Sequence, residues 1–313
     1  MRKTFLAVSA AICLATAVSA AEFINVLTGG TSGIYYPLGV ALSQMYAKAI
    51  PDSKTAVQAT KASVENLNLL QAGRGEAAIS LGDSLSDAYK GNTEAGFKAP
   101  LSKLRTISAL YPNYIHFVAA ADSGIKSFDD IKGKRISVGA PKSGTELNSR
   151  AILAAAGISY KDFAKVEYLS YAESVELMKN RQLDVTLLSS GAGVAALRDL
   201  ATSQKVVFLT IPEEIVKKID DPAYQVGVIP ANTYEGQTSD VKTVSVQNFL
   251  VTHSGVSEQT VYTMTKTMFE NLDQMVAAHA AAKGIKLENA AKNPPAPLHP
   301  GAERYYKEVG VLK

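Results

Sequence analysis

Apolar residues in this chain arrive in two alternating rhythms. Short unbroken runs, beginning with Phe23, Ile24, Val26 and Leu27, read as strands, and stretches whose apolar residues return every three or four positions read as helices. Leu38, Leu42, Met45, Tyr46 and Ala49 share the first helical face. Residues 54–60 read as a second strand, leading through Ser63 to a helix carrying Leu67, Leu69 and Leu70 that Gly73 and Gly75 end. Residues 77–81 form a third strand, closing on Gly82, Asp83 and Ser84. Strand and helix alternating at these lengths predict a parallel sheet with helices on both faces.

The rhythm lapses over residues 91–100, and two apolar runs follow, 104–111 and 114–121, separated by Pro112 and Asn113. A first crossing between lobes is placed here. A second α/β unit then starts, with a helical turn at 127–131, a strand at 134–139 and a loop at 141–145 that opens a helix. Ser143 and Glu146, and again Ser170 and Glu173, have the spacing of a capping box. Strands follow at 184–188, 205–209 and 224–229, with residues 189–193 read as a loop before another helix. The run 241–252 returns the chain to the first lobe. Ser257 caps the most amphipathic helix, whose stripe carries Val261, Met264, Met268, Phe269, Leu272, Met275 and Val276. Residues 293–301 hold four prolines and are predicted to be non-helical, ahead of a last helix at 302–309. The expected organisation is α/β and two-lobed, each lobe a mixed sheet flanked by helices with a ligand cleft between them. Residues 21–111 and 238–313 make the first lobe and 112–237 the second.

The ends and the composition narrow the setting. Arg2 and Lys3, an uncharged stretch to Val18, and small residues at Ser19 and Ala20 make a secretory signal peptide over residues 1–20, cleaved near Ala20. Its apolar stretch is too short for a membrane span. The single cysteine, Cys13, lies inside it, and bulky Ile12 beside it does not suit a lipoprotein signal. The mature chain is therefore expected to carry no disulfide and to reside in the bacterial periplasm. From 32 basic and 29 acidic residues, loss of Arg2 and Lys3 leaves a charge of +1, which argues against nucleic acid as a partner.

The candidate chemistry lies in four loops of one design, each a strand end followed by small or hydroxylated residues and a helix start. They are residues 29–35, 61–66, 141–145 and 189–193. In open α/β sheets such loops sit at the carboxyl ends of strands, where ligands bind. Helix N-termini offer free N–H groups and the positive end of a dipole to an anion. The expected ligand-binding residues are Gly30, Thr31, Ser32 and Tyr35, then Ser63 and Asn66, Asp83, then Ser143, Gly144 and Thr145, and Ser189, Ser190 and Gly191. The first loop alone also suits a capped turn with no ligand. Asp83 suits either a ligand ammonium or the cap of the helix that follows, and Lys142 and Arg150 are available to a carboxylate.

Other chemistries find no pattern. The glycine loop lacks dinucleotide spacing, and Gln58 to Lys61 put no acid at the end of the second strand. No cofactor is expected. His116, His253, His279 and His299 are scattered and no metal site is expected, although His116 lies near the first crossing. Ser123 and Lys126 match S-x-x-K without its companion motifs, so no catalytic residue is assigned.

Several motifs taken together carry a family likeness. Residues 29–37, Ser63 to Asn66, Lys132 to Arg135 with Val138 and Gly139, Ser143 to Thr145, Val261 with Tyr262, and Leu298 to Ala302 resemble the TAXI receptors of tripartite ATP-independent periplasmic (TRAP) transporters over essentially the whole mature chain. The resemblance implies a type II-like periplasmic binding protein, monomeric and non-enzymatic. It would close on a small carboxylate such as glutamate, glutamine or 2-oxoglutarate and deliver it to TRAP permease subunits for uptake driven by an ion gradient. Lys61 with Ala62, and Lys142, stand where the family pattern has small or glycine residues. Two rivals stay open: a receptor for an ATP-driven importer, and a periplasmic hydrolase or dehydratase on the same fold.

Overall fold

A computed structural model describes residues 22–313. The expected signal peptide and Cys13 lie outside the described residues. The first unit runs β1 (Phe23–Leu27), α1 (Tyr35–Ala49), β2 (Lys54–Gln58), α2 (Ser63–Gln71), β3 (Ala77–Leu81) and α3 (Gly82–Lys90). Next come β4 (Leu104–Ala120), β5 (Arg135–Ser137), α4 (Gly144–Ala155), β6 (Lys165–Glu167), α5 (Tyr171–Lys179), β7 (Val185–Ser190) and α6 (Ala195–Ser203). The chain ends with β8 (Val206–Leu209), α7 (Glu213–Lys218), β9 (Tyr224–Ile229), β10 (Val241–His253), α8 (Glu258–Glu270), α9 (Leu272–Ala278) and α10 (Pro300–Glu308).

The strands order as β2-β1-β3-β10-β4-β7-β5-β6, with β8 added to β4 and β9 to β10. Pairing is parallel within β2-β1-β3 and within β7-β5-β6, and antiparallel wherever β4 or β10 takes part. The sheet is therefore mixed, because the two long strands run against the βα units they join. Helices cover both faces. One apolar layer joins Leu27, Leu67, Leu70, Leu85 and Phe249, a second joins Phe117, Ile136, Ile152, Val185 and Leu187, and a third joins Val26, Leu42, Leu188 and Met264.

Where the chain departs from its apolar pattern, a local reason is visible. The runs at 104–111 and 114–121 are one strand of 17 residues, β4, because Pro112 and Asn113 keep extended pairing with Gln247 and Val246. A proline costs only its own N–H there. Both long strands exchange partners near this point. In β10, Val241–Val246 pair with β9, whereas Asn248–Val251 pair with β3. In β4, pairing with β7 begins only at Tyr114. Ser189 and Ser190, read as loop, are the last residues of β7. The long amphipathic stretch is broken at Asn271 into α8 and α9. Pro300 and Gly301 begin α10 instead of preceding it, since a proline at the first helical position loses no bond and the His299 side chain accepts from Gly301 N–H.

Candidate ligand-binding site

The parallel strands β1 and β2 run opposite to β5 and β6, so their carboxyl ends face each other across the middle of the sheet, and the four turns that follow them close around a single cavity of about 110 Å3. Each turn leads into a helix whose first residues line that cavity: Tyr35 of α1, Ser63 of α2, Gly144 and Thr145 of α4, and Tyr171 of α5. The end of β7 supplies Ser189 and Ser190.

The four helix starts are capped differently. Ser170 and Glu173 complete a capping box on α5. On α4 the Ser143 hydroxyl accepts from Glu146 N–H at 3.1 Å, but the reciprocal half of the expected box is missing. The Glu146 carboxylate turns away to Arg150 at 2.6 Å and Tyr160 at 3.0 Å. Neither α1 nor α2 has a side-chain cap. Among the described residues, the first-turn amides of Tyr35, Tyr36, Ser63, Val64, Gly144, Thr145, Tyr171 and Ala172 have no protein acceptor. Unpaired amides at converging helix N-termini form an anion-binding concavity.

Of the expected residues, Gly30, Ser32, Tyr35, Ser63, Ser143, Gly144, Thr145, Ser189 and Ser190 line the cavity. Thr31, Asn66, Asp83 and Gly191 do not. Thr31 is exposed. The Asn66 amide donates to the carbonyls of Thr28 and Ile79, at 2.7 and 2.9 Å, and so pins the first two turns together. Gly191 is packed against Ile34 and Tyr111, leaving no room for a side chain. Arg150 is held by Glu146 and the Glu94 carbonyl, and Lys142 does not line the cavity. Lys61 and Ala62, from the expected loop at 61–66, line it too, and Thr60, Leu169, Ser170 and Tyr171 line it from outside the four expected loops. Tyr171 was legible in part, since the capping box at Ser170 marks it as a first helical residue.

Tyr171 is fixed by two bonds: its hydroxyl donates to the Ser189 carbonyl at 2.5 Å, and Thr145 completes the pair at 2.9 Å. Tyr35 donates to Asn248 Oδ1 at 2.6 Å, and burial holds its hydroxyl firmly protonated. From Asn248 a buried chain of bonds runs through Asn113, Ser189 and Asn148 to Asp83. Asp83 Oδ2 accepts from Asn148 at 2.6 Å and Tyr224 at 2.7 Å, and Oδ1 from Ser84 N–H at 2.7 Å. Burial raises its pKa to about 6 in spite of these donors. His116, also buried, contacts the Tyr114 carbonyl and the Tyr234 hydroxyl, each at 3.0 Å, and burial lowers its pKa to about 4. No group of three or more His, Cys, Asp and Glu suited to a metal occurs among the described residues.

Residues 26–310 match the NMT1-like family. Among solved structures, the chain is similar to a periplasmic transporter at a TM-score of 0.57 and 11% identity, covering 92% of this chain and 93% of that one. It is similar to the alkanesulfonate-binding protein SsuA from Xanthomonas axonopodis pv. citri bound to MOPS, at a TM-score of 0.50 and 16% identity over 92% and 85% of the two chains. A structure described for glutathione import through GshT and the cystine ABC importer TcyBC of Streptococcus mutans gives 0.51 and 12%, over 85% and 98%. At these identities the likeness is one of fold, the two-lobed α/β architecture of periplasmic binding proteins.

Proposed function

Because the chain belongs to the NMT1-like family, we propose that it is a periplasmic solute-binding receptor that closes two lobes around a small carboxylate. The observation that carries this reading is the convergence of four helix N-termini, with unpaired first-turn amides, on one cavity. Each such terminus favours an anion by about 0.3–1 kcal/mol, more when partly buried. We assign residues 21–111 and 238–313 to one lobe and 112–237 to the other, which puts α1 and α2 on one side of the cavity and α4 and α5 on the other. Contacts already cross that divide: Glu65 N–H donates to the Lys142 carbonyl at 3.2 Å and Ala196 N–H to the Ser32 carbonyl at 3.3 Å. A ligand touching both sides only in this arrangement shifts the population toward it. Glutamate, glutamine or 2-oxoglutarate is the ligand type, and TRAP permease subunits that read the closed shape are the partner, on the strength of the motif resemblance. A receptor for an ATP-driven importer is the second reading, favoured by the structural similarity to a protein described with an ABC importer.

Calorimetric titration of the processed chain with the three acids tests the receptor. Saturable binding with the acid recovered intact is expected, and consumption of the acid would replace the receptor by an enzyme. Uptake into vesicles containing the permease, energised by an ion gradient or by ATP, separates the two transport readings.

A further inference from the structure

Asp83 is a buried acid with no cation beside it. It is 2% exposed and forms no ion pair among the described residues, and the three groups that bond it are neutral donors. On the division proposed above, one of these donors, the Ser84 N–H, lies in the same lobe as Asp83. The other two, Asn148 Nδ2 on α4 and the Tyr224 hydroxyl on β9, belong to the opposite lobe, and Asn148 Nδ2 also donates to the Tyr224 oxygen at 3.0 Å. Other contacts across the divide differ in kind. Glu65 to Lys142 and Ala196 to Ser32 are bonds between backbone groups, and Arg150 reaches the Glu94 carbonyl from an exposed position.

The Asn148 amide ties this trio to the cavity. Asn148 stands one helical turn after Gly144, and a primary amide has one end that donates and one that accepts. A carboxylate admits only the donating end. Asp83 therefore turns Nδ2 toward itself and leaves Oδ1 to accept from the hydroxyl of Ser189, in the cavity wall, at 2.6 Å. With the lobes apart, water serves Asp83 in place of the two distant donors. With the lobes together the carboxylate is dry, and each donor withdrawn leaves a buried charge short of a partner.

We infer that Asp83 is a positioning residue of the receptor: with Asn148 and Tyr224 it clasps the two lobes shut and orients Ser189, setting ligand affinity without touching the ligand. This rests on the two-lobe receptor reading and deepens it. Calorimetry with 2-oxoglutarate, glutamate and glutamine tests it on the processed chain, on Tyr224→Phe, on Asp83→Ala and on the double variant, with scattering from the parent before and after each compound is added. Tyr224→Phe keeps the ring and loses only the hydroxyl, and it is expected to weaken binding of the tightest of the three compounds about tenfold. Made in the Asp83→Ala background, the same change is expected to cost less than about twofold, because no buried charge is left to serve. A tyrosine that merely supports packing would give the same factor in both backgrounds. Equal factors, or an unaltered affinity in Tyr224→Phe, overturn the clasp, while a radius of gyration that falls on binding in the parent leaves the receptor standing. Failure of all three compounds to bind the parent, or binding with an unchanged radius, overturns the two-lobe reading and the clasp with it.

Discussion

Ala62 holds φ 74° and ψ −143°, a conformation close to glycine's own, at the turn into α2. Such backbone costs of order 1–3 kcal/mol and persists where surrounding contacts insist on it. Here the Thr60 hydroxyl accepts from Ala62 N–H at 2.9 Å, and Asn66 N–H is bonded to the Ala62 carbonyl. Ala62→Gly is expected to raise stability in urea titrations by about 1 kcal/mol. Asp83 and His116 make a second residue-scale case, because their burial acts on protons in opposite senses. The pKa of Asp83 is raised to about 6, so the folded chain holds that proton more tightly and acidification favours folding through this group. That of His116 is lowered to about 4, so the unfolded chain takes up that proton first and the same acidification favours unfolding. Over their shared window, from about pH 6 down to about pH 4, the two largely offset. Asp83→Asn removes one of them, and the variant is expected to lose more stability than the parent on acidification, by on the order of 2 kcal/mol across that window. Equal pH slopes in denaturant titrations of the two proteins would show that Asp83 does not titrate there.

Helices and strands carry the fold's local logic. Ser257 caps α8 by accepting from Thr260 N–H at 3.0 Å, and Ser257→Ala is expected to cost about 1 kcal/mol in thermal or urea unfolding. Gly301 lies where α10 crosses α8. A Cβ there would collide with the Glu258 carbonyl and come within 2.6 Å of Tyr262 N, so Gly301→Ala is expected to be the costlier change, about 1–3 kcal/mol or more. Elements like these were readable because their signals are local: a capping serine, a glycine after a strand, an apolar stripe. The four loops around the cavity carry signals of the same kind. Contacts made at long range were not readable. Nothing near Asn66 announces bonds to Thr28 and Ile79, and nothing near Asp83 announces Asn148 and Tyr224. Both residues have the type and the loop position of a ligand contact, yet the fold engages their polar atoms with its own. The opposite miss, the single strand through Pro112, arose because a proline is a weak break wherever its partner strand tolerates one absent donor.

At the scale of the whole molecule, the two sides of the cavity meet at Gly144, where an added Cβ would stand 2.7 Å from Leu81 Cδ1 and 2.8 Å from Ser63 Oγ. Gly144→Ala is expected to wedge the proposed lobes apart, abolishing ligand binding while unfolding cooperatively near the parental temperature. Scattering should then give a larger radius of gyration with or without ligand, and an unchanged radius with intact affinity would remove Gly144 from the closing surface. A ligand at about a hundred times its dissociation constant is expected to stabilise the parent by about 2.7 kcal/mol and to leave the variant unmoved. What joins the two sides is a pair of neighbouring strands, β4 and β10, whose ladder has a register shift between Gln247 and Phe249 and a missing N–H at Pro112. A hydrogen-bonded pair of strands resists stretching and sideways shear, yet twists at little cost. Such a joint is expected to yield by twisting. On the lobe division proposed above, a membrane partner that grips both lobes and applies a torque would open the cavity by twisting this joint, without breaking either strand.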